Sequence, residues 1–428
     1  MSKVIIKISR VVILLTLTLG LAQVSRGYSV LTHQAIIDSS WKDSLKPLLL
    51  KGFPGASEEQ LREAHAYAYG GAIIQDMGYY PFGSKFFTDL THYVRSGDFV
   101  EALLAESHDI NEYAFALGAL AHYAADNNGH AIGVNRAVPI AYPKLRARYG
   151  DEVTYVEDPT AHIKTEFGFD VVQVARGNYA SDSYHDFIGF KVAKDVLARA
   201  FQKTYGLELK DQFASLDLAI GTFRRTVSGL IPEMTRVAWE MKKDDITKAH
   251  PGMTREKFLY NLSRADYEKA YGKEYKEPGF GAKLFAGIVK VLPKVGPLKA
   301  LDFKPPTPEA ERLFIASFNT TLDHYRALLT QARGGKLDLQ NMDFDTGRPT
   351  RAGEYKLTDE TYARLLEKLA KHNFENAGPD LRRDLLAFYS DLNAPIATKR
   401  DKEDWRQTLR ALDQLKAAQG QPASASKQ

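Results

Sequence analysis

Apolar positions recur with helical spacing along most of the chain, and no stretch sustains the strict alternation of a half-buried strand. The expected fold is therefore all-α. Thr32 reads as the N-cap of a first helix carrying His33, Gln34, Ala35, Ile36 and Ile37. After a turn at 51–57, Ser57-Glu58-Glu59-Gln60 opens a second helix with a capping-box pattern. That helix is expected to run to just before Pro81, with Gly70 and Gly71 at a close helix contact and Asp76 near its C-terminal end. Residues 86–94 contain His92, and 98–108 are amphipathic. Residues 112–123 (EYAFALGALAHY) are apolar enough for a buried helix, and they run into AHYAADNNGHA at 121–131.

Further on, 136–159 reads as loop, with a short helix at 142–149. Helical pattern resumes at 161–167 and continues through 187–204 and 217–242. After about residue 243 the character shifts. Residues 243–276 are highly charged, and 279–301 is apolar but studded with Lys283, Lys290, Lys294 and Lys299. Pro305, Pro306 and Pro308 precede a strong helix with Phe314, Phe318, Leu322, Tyr325 and Leu329 on one stripe. A Gly/Asp-containing loop at 336–354 leads to helices starting near Thr358, Pro379 and Lys402. The division this implies is a leader at 1–27, a first helical domain at 28–242, a helical C-terminal extension at 243–419, and a disordered tail at 420–428.

Composition changes this picture in three places. The leader has Lys3, Lys7 and Arg10 before an apolar run at 11–21, then Ser25-Arg26-Gly27 with small residues at the −3 and −1 positions of a cleavage site. It reads as a signal peptide cut between Gly27 and Tyr28, so a secreted or periplasmic protein is expected. The full chain holds 57 basic and 53 acidic residues, and losing Lys3, Lys7, Arg10 and Arg26 makes it formally neutral. The pI of about 8.8 is then no nucleic-acid footprint. Cysteine is absent, which excludes thiolate zinc sites, cysteine nucleophiles and disulfides.

The candidate chemistry centres on 121–131. His122, Asp126 and His130 are each four residues from the next, so a helix would put all three on one face. Imidazole, carboxylate and imidazole suit a borderline-soft divalent metal, zinc above all. Buried ionisable groups of this kind are costly unless paired or metal-bound. His33, Asp76, His92, and the i,i+4 pair His162 and Glu166 complete the candidate ligands. His65 reads as a hydrogen-bonded core histidine. Ser-His-Asp at His108 and Ser-Tyr-His-Asp at His185 are not triads, since triad members meet in space and not along the chain. His250, His324 and His372 read as solvated or structural.

YSVLTH at residue 28, QDM around Asp76, THY around His92, AHYAADNNGH, and HIKTEF together resemble the zinc-dependent phospholipase C family, which shares its all-helical fold and trinuclear zinc site with P1/S1-type nucleases. The resemblance implies one zinc held by Asp76, His92, His122 and Asp126. It implies a second bridged by Asp126 and completed by His33 and the amino nitrogen and carbonyl oxygen of Tyr28. His130, His162 and Glu166 would hold a third, and Asp76 is also the candidate general base. Three departures stand out: Tyr28 replaces the usual Trp, the step from Asp126 to His130 is short, and that from Tyr28 to His33 resembles the nuclease branch. Glu166 as final ligand matches the phospholipases. The expected activity is phospholipase C-type cleavage of a phospholipid. The alternatives are a P1/S1-like nuclease or nucleotidase, which the neutral chain disfavours, and a zinc-stabilised binding protein without turnover. Residues 279–301 are a candidate for peripheral membrane contact, set against simple packing over the helical core.

Overall fold

The computed structural model describes residues 29–176, 188–227 and 302–419, together with residue 244. The leader, Tyr28, His185, His250, the 279–301 segment and the tail 420–428 lie outside the described residues.

Helix ends follow local chemistry. Ser57 and Gln60 form the expected capping box of a helix Glu58–Gly71 (α3). Asp109 caps Ile110–Asn128 (α6) by accepting from the N–H groups of Asn111 and Glu112. Thr307 caps Pro308–Arg333 (α12), with Pro308 in the first turn where no N–H is needed. The first helix, Val30–Ser40 (α1), is the exception. Thr32 is not its N-cap but lies within its first turn. The N–H groups of Leu31 and Thr32 and the Thr32 hydroxyl donate to the Asp170 carboxylate, at 3.0, 3.1 and 2.6 Å. Asp170 belongs to Pro159–Arg176 (α9), so this helix start is capped from a distant part of the chain. A π-helical turn at Trp41–Leu45 leads α1 into Lys46–Gly52 (α2).

Other boundaries differ from expectation. The Glu58–Gly71 helix stops short of Asp76, which lies in a separate 3-10 turn, Ile74–Tyr79. The stretch read as loop after residue 136 holds Asn135–Ala141 (α7) and Pro143–Tyr149 (α8). Pro139 inside α7 has no N–H for the Asn135 carbonyl, and the Val153 N–H bonds that carbonyl instead, at 2.9 Å. The helix expected from 187 begins at Lys194 and ends at Tyr205 (α10), while the next, Leu216–Arg225 (α11), begins as expected. The loop at 336–354 contains an antiparallel pair of two-residue strands, Met342–Asp343 (β1) and Arg348–Pro349 (β2). Lys356–Ala370 (α13), Pro379–Phe388 (α14) and Lys402–Gln419 (α15) follow, and the fold is all-α apart from that small hairpin.

The centre of the molecule is the contact between α3 and α6. Its closeness is set by glycine. A Cβ on Gly71 would stand 1.9 Å from the Phe115 carbonyl oxygen, and one on Gly118 would stand 2.1 Å from that of Ala68. α12 packs across α6, α7 and the π-helical turn Gly129–Val134, and the Tyr325 hydroxyl donates to the Leu117 carbonyl at 2.9 Å. Phe115, Phe314, Tyr325, Phe344 and Tyr362 share one apolar cluster, so both halves of the described chain contribute to the same core. No described helix is long and apolar enough to cross a membrane.

Gly71→Ala is expected to destabilise the fold by about 2 kcal/mol or more, as backbone overpacking does. Gly55→Ala, where an added Cβ meets nothing within 4 Å, is the control and should be near neutral. Urea denaturation of the two variants checks this, and equal midpoints would refute the close-approach argument.

Candidate metal centre

Five elements converge on one point. α1 brings His33, and the 3-10 turn brings Asp76. Lys85–Tyr93 (α4) brings His92 near its end, and α6 brings His122 and Asp126 one turn apart. The π-helical turn that continues α6 brings His130. From this wider turn His130 faces the centre, with its Nε2 3.9 Å from Asp126 Oδ2. All six side chains are buried.

Asp126 stands at the middle. Its Oδ1 lies 3.5 Å from His33 Nε2, and its Oδ2 lies 3.2, 3.5 and 3.9 Å from the Nε2 atoms of His122, His92 and His130. Neither oxygen has an aligned hydrogen bond among the described residues. Asp76 Oδ1 is 3.3 Å from His92 Nε2, and His92 and His122 Nε2 are 3.5 Å apart. The rings of His33 and His122 stack at 4.6 Å.

The tautomers follow from the outer contacts. Nδ1 of His92 donates to the Thr88 carbonyl at 2.9 Å, and Nδ1 of His122 donates to the Ala72 carbonyl at 3.0 Å. Each ring therefore turns an Nε2 lone pair toward the carboxylates. The 3-10 turn is tied down as well. Thr88 Oγ1 donates to the Gln75 carbonyl at 2.6 Å and accepts from Gly78 N–H at 2.8 Å, and Gln75 Nε2 donates to the Ala119 carbonyl at 3.2 Å.

The electrostatics pull neighbouring groups in opposite directions. Burial, then the adjacent His122, lowers His33 to about 4. Burial also opposes charge on His92, but Asp126 and Asp76 outweigh it and raise this imidazole to about 10. For Asp126, burial pushes upward and is overcome by His122, His92 and His130, which hold the carboxyl well below its ordinary range. One cation held among these groups removes the conflict, because every nitrogen then offers a lone pair and every carboxylate a charge.

The spacing fits zinc. Two donors each about 2.0–2.1 Å from a tetrahedral zinc stand about 3.4 Å apart. Two triads place one donor atom per residue within 4.8 Å of one another: His33–Asp76–His122 and His92–His122–Asp126. Among the described residues His130, His162 and Glu166 do not close into such a group. His162 Nδ1 is 2.8 Å from Glu166 Oε1, its Nε2 is 2.8 Å from Asn135 Oδ1, and its ring stacks on His130 at 5.2 Å.

Sequence reasoning missed the contribution of the hairpin. Phe344 packs on the rings of His92 and His122 at 5.3 and 6.0 Å, and its N–H donates to the His92 carbonyl at 3.2 Å. Asp345 Oδ1 lies 3.7 Å from His130 Nδ1. Nothing in the spacing of 336–354 marked these two residues, because their approach is made by tertiary packing. His65 lies apart from the centre, stacked on Trp41 at 3.8 Å and 3.1 Å from Asp38, as a core histidine should. His108 and His372 are exposed, and His324 is half-buried beside Asn128.

Zinc added to chelator-treated protein should raise its melting temperature in a concentration-dependent way, by about 2.7 kcal/mol of stability at a hundredfold excess over Kd. His122→Ala should lose most of this gain, since His122 is common to both triads. A zinc response as large as that of the unaltered protein would rule out this cluster as the binding site.

Residues 32–215 match the family model described as zinc dependent phospholipase C. No curated protein and no solved structure matches the chain. The matched stretch contains most of α1, the 3-10 turn, α4, α6, the π-helical turn and α9, and with them every candidate ligand named above except Tyr28; Phe344 and Asp345 lie beyond it. Over this stretch, a little under half of its length, the chain is similar to the zinc-dependent phospholipase C family, whose fold is all-α.

Proposed function

We propose that the protein is an exported phospholipase C-type hydrolase that cleaves the phosphodiester between the glycerol and the headgroup of a phospholipid. The observation that carries this reading is Asp126, with one oxygen toward His33 and the other toward His92 and His122. A carboxylate so placed can serve two cations at once.

In this reading Asp76, His92, His122 and Asp126 would hold one zinc, and Asp126, His33 and the freed amino end at Tyr28 would hold a second. His130, His162 and Glu166 would serve a third. Bound zinc would supply Lewis acidity and lower the pKa of water toward neutrality. The chain's own groups do the rest. The backbone carbonyls of Thr88 and Ala72 keep His92 and His122 in the tautomer that ligates. Asp76 accepts the proton of the attacking water. The phosphorus–oxygen bond to glycerol breaks as the new one forms, the departing glycerol oxygen takes up a proton from water, and diacylglycerol and a phosphorylated headgroup are released. Phe344 covers His92 and His122, keeping bulk water from their outer faces.

The anchoring of α1 by Asp170 bears on the amino end. Asp170 fixes the backbone at Leu31 and Thr32, directly between residue 28 and the ligand His33.

Zinc-loaded protein beginning at Tyr28 should hydrolyse phosphatidylcholine vesicles, and Asp76→Asn should lose about a hundredfold or more of that activity. Cleavage of single-stranded DNA in preference to the lipid would favour the nuclease reading, and turnover of neither would favour a binding protein. One extra residue ahead of Tyr28 should lower both zinc content and activity, whereas full activity of such an extended chain would remove the amino end from the centre.

A further inference from the structure

His130 is fully buried, and neither of its ring nitrogens has a hydrogen-bond partner among the described residues. Nε2 faces Asp126 at 3.9 Å and Nδ1 faces Asp345 at 3.7 Å, both beyond hydrogen-bonding distance. A neutral imidazole has one N–H and one lone pair, so one of its nitrogens turns a lone pair toward a carboxylate. That arrangement is repulsive unless a cation stands between the two. The separation of 3.7 Å is close to the roughly 3.4 Å expected of two donors sharing a tetrahedral zinc.

Asp345 is held for such a role. Its Oδ2 accepts from the hydroxyls of Tyr93 and Tyr355 at 2.8 and 2.6 Å, which fixes the carboxylate with Oδ1 on the side of His130. Its main-chain carbonyl accepts from Asn135 Nδ2 at 2.7 Å. This fixes the Asn135 amide with Oδ1 toward His162 Nε2, so Nε2 carries the hydrogen and the His162 Nδ1 lone pair faces Glu166. The same residue thus presents a carboxylate to His130 and, through Asn135, sets the tautomer of the histidine stacked on it.

We infer that Asp345 is a metal-ligating carboxylate of the His130 site, donated by the hairpin of the C-terminal half and lying outside the stretch that matches the family. The inference rests on the zinc reading above. It adds that the metal centre is incomplete without residues beyond 215, and that zinc on the His130 side fastens the hairpin to the π-helical turn.

The test is zinc content by elemental analysis and zinc affinity by chelator competition, on the full chain beginning at Tyr28. Asp345→Asn keeps an acceptor for the tyrosines and removes the charge. It should lose the His130-side zinc or weaken its binding by about tenfold or more, leaving the zinc at His92 and His122 in place. Tyr93→Phe removes one hydroxyl from Oδ2 without touching Oδ1, and should keep the full zinc complement. Unchanged zinc content and affinity in Asp345→Asn would overturn the proposal, as would an equal loss in Tyr93→Phe, which would make the contact structural. Should Asp345→Asn fail to fold, anomalous diffraction at the zinc edge on the unaltered protein decides. A peak between His130 and Asp345 supports the proposal, and none there overturns it while zinc at His92 and His122 keeps the wider reading intact. An unaltered chain that binds no zinc at all would overturn both.

Discussion

The structure is organised around one buried carboxylate. Asp126 lies inside α6 with four histidine Nε2 atoms within 3.9 Å. Burying an isolated ion costs several kcal/mol even after relaxation. Protons alone satisfy this cluster badly, because the burial that Asp126 must overcome also strips charge from His33, while Asp76 and Asp126 force charge onto His92. A divalent cation meets both carboxylates and all the lone pairs together. The centre is therefore best read as a set of groups whose mutual tolerance depends on metal.

Holding such groups together requires rigid supports, and the fold supplies them from its backbone. The α3–α6 contact is tight because Gly71 and Gly118 leave no side chain between the helices. Tight packing carries the end of α3 over α6, where the Ala72 carbonyl reaches His122 Nδ1. The 3-10 turn that follows swings Asp76 toward His92, and Thr88 fixes that turn with one hydroxyl used as both donor and acceptor. Sequence, packing and site chemistry are thus linked through a few short contacts. A shift in any of them changes donor separations directly.

Much of the centre was legible in the sequence because its strongest signals are local. His122, Asp126 and His130 follow helical spacing, and so do His162 and Glu166. Thr32 was misread because a polar residue at a helix start can bond its own turn or, as here, a distant Asp170, and sequence does not separate the two. Residues 136–159 read as loop from their polarity, yet a helix forms across Pro139 because the Asn135 carbonyl takes its hydrogen bond from Val153, outside the helix. Asp76 was drawn as helical because the pattern ran on through residues whose backbone tightens to a 3-10 turn. Phe344 and Asp345 carried no signal, for their role comes only from where α12 and the hairpin pack.

That last point bears on how the two halves relate. Composition shifts near residue 243, but composition reports solvation and not contact. Across the described residues the halves share one apolar cluster, and the later half reaches the core through specific polar groups. Tyr325 bonds α6 at Leu117, and the Phe344 N–H bonds the carbonyl of His92 itself. Phe344 then lies over two candidate ligands, where an apolar ring lowers the local dielectric and strengthens every charge interaction beneath it. An independent appendage has no reason to make such contacts. The later half forms a wall of the centre, so the electrostatics that favour metal are set jointly by residues on both sides of residue 243.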